Sequence, residues 1–195
     1  MTETKRWNAL QVSPAELRLE VTLTNGQAFG FRKCADGSFI GVLGRNVIRF
    51  RETASDVEYC LEHGDADAKQ LDATVRDYLT LSCSQTLAEL YKAWSTDTRF
   101  NLLASAFPGV RLCRQDPLEC LFSFVCSSNN HISRITKMLS SLRRAYGDKL
   151  CTIDGQLSSA QLSAVSEVVT AFPLVRRRGL VQFPDADAAR ESNRG

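Results

Sequence analysis

The sequence predicts an α+β fold in which short strands come first and helices follow without interleaving. Three observations predict it. Over residues 16–61 apolar and polar side chains alternate with the period of a half-buried strand. Turn-forming residues, Asn25-Gly26, Asp36-Gly37 and Gly44-Arg45-Asn46, cut that stretch into short pieces. After His63-Gly64-Asp65 the apolar spacing becomes that of amphipathic helices.

Taken in order, Leu17, Leu19, Val21 and Leu23 alternate with Arg18, Glu20 and Thr22, which predicts a first strand turning at Asn25-Gly26. Phe29 and Phe31 resume the alternation. Phe39–Leu43, Val47–Phe50 and a run through Val57, Tyr59 and Leu61 complete an antiparallel meander. Leu71, Val75, Tyr78 and Leu79 share one face of a first helix. Leu87, Leu90, Tyr91 and Trp94 share that of a second. Phe100, Leu103 and Phe107 mark a third, ended by Pro108-Gly109.

Asp116-Pro117-Leu118-Glu119 is the clearest helix start. Asp116 suits the cap, Pro117 the first helical position and Glu119 a capping box. That helix is expected to run through Leu121, Phe122 and Val125 to about Cys126. A polar break, Ser127-Ser-Asn-Asn130, leads into another helix with Ile132, Ile135, Leu139 and Leu142 inward and Gly147 as its stop. Ser133, Arg134, Lys137, Ser141 and Arg144 are expected on its outer face. These elements give an N-terminal domain over 1–110, the first helices of a helical domain over 111–156, and a divergent tail over 157–195.

Composition narrows the class. With 44% hydrophobic and 24% charged residues the chain reads as an ordinary globular protein. No apolar run is long enough for a membrane span, and Met1–Trp7 has no secretory pattern. The seven cysteines are odd in number and show no C-x-x-C spacing. Reduced, mostly buried thiols are expected, with no metal and no cofactor. Residues 99–150 hold eight basic and three acidic side chains, whereas 51–98 hold four and ten. A polyanion would prefer the former, though on charge alone a solvated face is the ordinary reading.

Two helices joined by the Ser-Ser-Asn-Asn corner make a compact polar-tipped wedge. Asn side chains donate and accept, so they can bond base edges, and Arg134 lies one helical turn beyond Asn130. The first amides of the following helix favour phosphate. An ordinary capped turn with Asn130 as N-cap fits the same residues. Gly26 likewise fits a plain hairpin turn.

The run Gly109–Thr136, with Gln115-Asp-Pro-Leu-Glu-Cys-Leu-Phe122 and Ser127-Ser-Asn-Asn130 inside it, resembles the 8-oxoguanine DNA glycosylase family just before its helix-hairpin-helix module. Glu16–Phe29 resembles a strand and loop of that family's N-terminal domain, and the similarity extends from about Trp7 to Gly155. The resemblance implies a base-excision repair protein that binds duplex DNA carrying 8-oxoguanine opposite cytosine and rotates the lesion out of the stack. It assigns Asn129 to the gap left by the extruded base and Arg134 to hydrogen bonds with the orphaned cytosine. Asn130 and His131 join them as DNA-binding residues. The Gly26 carbonyl is assigned to the N7–H that 8-oxoguanine carries and guanine lacks. A monomer acting in the nucleus is expected, with the mitochondrion open and no membrane association.

Two residues depart from the family pattern. Gly30 stands where an arginine is usual, which is expected to loosen the loop around Gly26, and His131 stands where a third asparagine is common. The family's chemistry uses a lysine amine as nucleophile, with a carboxylate assisting, in a hairpin region downstream of the corner. The resemblance places neither Lys137 nor Lys149 there, and Asp154, Asp185 and Asp187 lack that context. No catalytic residue is therefore expected in this chain. Its function is read as family recognition of the lesion without completed chemistry, the alternatives being a non-catalytic damaged-DNA-binding isoform or a nonfunctional splice product.

From about Leu157 the resemblance ends. A short helix over 161–172, a basic run Arg176–Arg178 and a disordered polar end are expected, consistent with an altered reading frame, retained intron or alternative exon. Apolar faces of residues 118–142 are then expected to be exposed, with marginal stability or aggregation.

Overall fold

A computed structural model of the chain describes residues 5–153 and 156–159. The expected helix over 161–172, the Arg176–Arg178 run, the polar end and the positions of Asp154, Asp185 and Asp187 lie outside the described residues. The chain divides after Gln115 into two units. Residues 111–115, grouped by sequence with the helical segment, are hydrogen-bonded into the first.

The first unit is built on an antiparallel sheet of five strands: β1 (Asn8–Ala9), β2 (Phe31–Lys33), β3 (Phe39–Leu43), β4 (Asn46–Glu52) and β5 (Val57–His63), in the order β1-β5-β4-β3-β2. Its helices are α1 (Leu19–Thr24), α2 (Ala68–Tyr78), α3 (Leu87–Trp94) and α4 (Thr98–Ala106). Alternate residues Phe39, Leu43, Ile48, Phe50, Val57 and Tyr59 line one core, packed with Leu19, Leu23, Leu71, Val75 and Leu79. Each such side chain contributes about 1.5–3 kcal/mol by leaving water. Residues of the opposite parity include Arg49, buried in a hydrogen-bonded network with Glu62 and Ser38.

The stretch expected as the first strand is instead a helix. Leu17, Leu19 and Leu23 are buried as alternation requires, but Thr22 is buried too, and Leu19, Thr22 and Leu23 lie on one helical face. The Thr22 hydroxyl donates to the Gly109 carbonyl and accepts from the Arg111 N–H, each at 3.3 Å. The first helical amide, on Leu19, donates to the Glu52 carboxylate at 2.5 Å, so β4 supplies the cap that Arg18 lacks. These tertiary contacts override the strand preference of Val21 and Thr22. Asn8–Ala9, unforeseen, pairs at the sheet edge instead.

The buried face of α2 matches its spacing. The spacing of the next two helices overstates their burial: Trp94, Leu103 and Phe107 are about half exposed or more. These helices pack on each other through Phe100, whose ring meets those of Tyr91 and Trp94 edge-on at 5.5 Å.

The second unit holds α5 (Pro117–Ser127), α6 (Ile132–Tyr146) and an unforeseen hairpin of β6 (Lys149–Ile153) and β7 (Gln156–Ser159). Phe122 and Cys126 of α5 and Ile135, Leu139 and Leu142 of α6 are buried. Ile132, expected inward, is 50% exposed because it starts the helix beside the polar corner. Gly147 does stop α6, but with an extended backbone (φ −90°) rather than a left-handed one. Leu121, Phe124 and Val125 are exposed on α5. All seven thiols are free. Only Cys60 and Cys126 are fully buried, with Cys34, Cys113 and Cys151 partly so, against the expectation of mostly buried cysteines, because Cys83 sits in an exposed connection and Cys120 on the outer face of α5.

Candidate nucleic-acid interface

The α5–α6 corner follows from local backbone chemistry. Asp116 accepts the Leu118 and Glu119 amides and, with Pro117 behind it, fixes the start of α5. At the far end the Asn130 N–H donates to the Ser127 carbonyl, closing a tight turn. Asn129 turns the chain at φ +49°, a left-handed conformation that asparagine tolerates better than most residues. Its side chain is exposed and makes no hydrogen bond among the described residues.

Asn130 behaves differently from expectation. Its amide donates inward to the Cys126 carbonyl at 3.0 Å and to the Met138 sulfur at 3.2 Å, while its oxygen accepts the His131 N–H at 3.0 Å. The residue stitches the corner together instead of facing outward. The N-cap of α6 is His131, not Asn130, and its side chain makes no capping bond. That end of α6 therefore offers its first amides to solvent, beside the exposed His131 ring. Arg134, Lys137 and Arg144 are exposed along α6 and form no ion pair among the described residues.

Arg143 has a different task. Its guanidinium bonds both oxygens of Glu119, which is 4% exposed. The sequence reading missed this pair, since it gave Glu119 to a capping box. A charged residue flanking Leu139 and Leu142 on α6 was the available signal, and a weak one.

Gly26 belongs to the first unit. It follows the last turn of α1 at φ +91°, a conformation glycine adopts without cost. The Asn25 side chain accepts the Gln27 N–H at 3.1 Å, and Gly30 lies at the bend before β2. Gln27, not singled out from sequence, bonds the segment 111–115 at several points. That segment starts from Gly109, where a Cβ would meet the Pro14 carbonyl oxygen at 2.4 Å. Among the described residues no group of His, Cys, Asp or Glu is gathered to hold a metal ion, and no helix is long and apolar enough to cross a membrane.

Residues 9–121 match the family model described as 8-oxoguanine DNA glycosylase, N-terminal domain. The chain belongs to the 8-oxoguanine DNA glycosylase family. It is 40% identical over 177 residues to the N-glycosylase/DNA lyase OGG1 of Arabidopsis thaliana, an overlap of 85% of this chain and 47% of that relative. It is 55% identical over 47 residues to the N-glycosylase/DNA lyase of Saccharomyces cerevisiae, covering 24% of this chain and 12% of that one. Among solved structures, MBOgg1 in complex with a low-affinity DNA ligand superposes with a TM-score of 0.66 at 22% identity, over 80% of this chain and 54% of that chain. The Clostridium acetobutylicum 8-oxoguanine glycosylase/lyase, in complex with double-stranded DNA containing cytosine opposite 8-oxoG, gives 0.66 at 23% identity, over 80% and 53%. These structural likenesses show the α+β fold. The glycosylase-family chain spans about half the length of the Arabidopsis relative and of both solved structures.

Proposed function

We propose that this chain recognises 8-oxoguanine opposite cytosine in duplex DNA, as the lesion-probing part of a base-excision repair protein. The observation that carries the reading is the α5–α6 corner, where the Asn129, His131 and Arg134 side chains are exposed and unengaged among the described residues. In this reading Asn129 occupies the gap left by the rotated base, and the planar fork of Arg134 meets the acceptors of the orphaned cytosine. His131, the first α6 amides, Lys137 and Arg144 meet phosphates. Asn130 shapes the corner from within. The Gly26 carbonyl accepts the N7–H of 8-oxoguanine, which guanine cannot supply.

The test is titration of the full chain into a fluorescent 8-oxoguanine·cytosine duplex. Saturable binding that weakens with salt is expected, with the salt slope reduced by about one in Lys137→Ala, which removes a phosphate contact, and the affinity lowered in Arg134→Ala, which removes the contact with cytosine. Affinity and slope unchanged in both variants would contradict the reading. The protein is proposed to act as a monomer on nuclear DNA, checked by sedimentation and by locating a tagged chain.

The resemblance assigns neither Lys137 nor Lys149 to the nucleophilic amine, so the proposal gives the 195-residue chain recognition without base excision. Borohydride added to the lesion complex is expected to trap no covalent adduct. A trapped adduct would show that an amine of this chain attacks the sugar.

A further inference from the structure

We propose that Gln27 is a positioning residue for lesion discrimination, holding the Gly26 carbonyl in place through a side-chain amide inserted into the backbone of residues 111–113; the inference rests on the reading of Gly26 given above. The Gln27 amide nitrogen donates to the Thr22 carbonyl at 2.9 Å and to the Arg111 carbonyl at 2.7 Å. Its oxygen accepts the Cys113 N–H at 2.9 Å. Accepting from residue 113 while donating to residue 111 is how a neighbouring strand would pair, and here one side chain does it. The Gln27 main-chain carbonyl in turn accepts from the Gln115 amide. The peptide that follows Gly26 is thus bound on both its side chain and its backbone.

The segment it grips is itself fixed. Arg111 is buried and donates to the Glu16 main-chain and carboxylate oxygens and to the Thr80 carbonyl, while the Arg114 N–H donates to the Tyr78 carbonyl. The Thr80 hydroxyl holds the intervening Leu112 carbonyl at 3.0 Å, and its hydrogen bonds go to the Leu79 and Leu112 carbonyls and not to residues 25–27. A carbonyl that separates two bases by one proton must be held still, because a loop free to withdraw it accepts both. A carboxylate at position 27 would lose both donors and face two carbonyl oxygens.

The experiment measures the ratio of Kd values for a guanine·cytosine duplex and an 8-oxoguanine·cytosine duplex, in the full chain and in Gln27→Glu, Gln27→Ala and Thr80→Ala. A merely structural role lowers the folded fraction and changes both Kd values together, leaving the ratio. The ratio is expected to fall at least fivefold in the Gln27 variants and to persist in Thr80→Ala. A persistent ratio in folded Gln27 variants, or an equal collapse in Thr80→Ala, overturns the inference while the reading of Gly26 stands. No lesion preference in the parent chain overturns that reading and this inference with it. Should the Gln27 variants fail to fold, Gln115→Ala decides: a lowered ratio supports the inference and an unchanged one overturns it.

Discussion

Arg143 of α6 holds the buried carboxylate of Glu119 on α5 with two hydrogen bonds, one from Nε at 3.2 Å and a shorter one from Nη2. The Arg143 and Glu119 side chains are 12% and 4% exposed, so the ion pair lies largely out of water, where loss of one partner is costly. Glu119→Ala removes the carboxylate partner of the largely buried guanidinium and is expected to cost about 3 kcal/mol. Urea denaturation followed by far-UV circular dichroism checks this. Glu119→Ala combined with Arg143→Met is expected to recover part of the loss, since no charge then remains stranded.

The neighbouring asparagines of the corner are expected to separate by phenotype. Asn130→Ala removes three hydrogen bonds within the hairpin and is expected to lower stability by about 1–3 kcal/mol. Asn129→Gly keeps the left-handed backbone and changes stability by only about 0.5 kcal/mol, but weakens binding to the lesion duplex about tenfold or more. Melting and anisotropy on the same two variants test the distinction.

Thiol reactivity is expected to divide the cysteines. Burial pushes Cys60 and Cys113 up to about 11 and raises Cys126, so few thiolates form there near neutrality. Cys83 and Cys120 are exposed. Brief alkylation of the native chain followed by peptide mass mapping is expected to label these two first, with Cys60, Cys113 and Cys126 labelled only after unfolding.

Tyr59 sets an alkaline limit. Burial, and then its hydrogen bond to Asp72, push its phenol from 10.0 up to about 12. The folded state therefore keeps a proton that the unfolded state has released. The contribution is intact below pH 10 and is lost as pH rises from about 10 to 12, by at most about 1.4 kcal/mol per pH unit. Tyr59→Phe is expected to flatten this part of the stability profile.

The parts legible in sequence were those fixed locally. Asp116-Pro117 set the start of α5, and the spacing of Leu71, Val75 and Tyr78 set the buried face of α2. Asp36-Gly37 and Gly44 placed turns between β2, β3 and β4. The misread parts were fixed by distant residues. Leu19 and Leu23 satisfy both a strand and a helix period, and the choice was made by Glu52, Gly109 and Arg111, far along the chain. The same holds at the site. Asn129 and Arg134 could be singled out by residue type, while the inward turn of Asn130 depends on Met138, and the hold of Gln27 depends on residues 111–115.

In the proposed function this chain tells an oxidised guanine from a normal one within a duplex. Parallel anisotropy titrations at one fixed salt concentration, with duplexes differing only in the oxygen at C8 of one guanine, measure that directly. Tighter binding to the oxidised duplex, by at least tenfold, is expected, with Arg134→Ala weakening it. Equal affinity for the two duplexes, with the chain folded, would rule out lesion recognition by this chain.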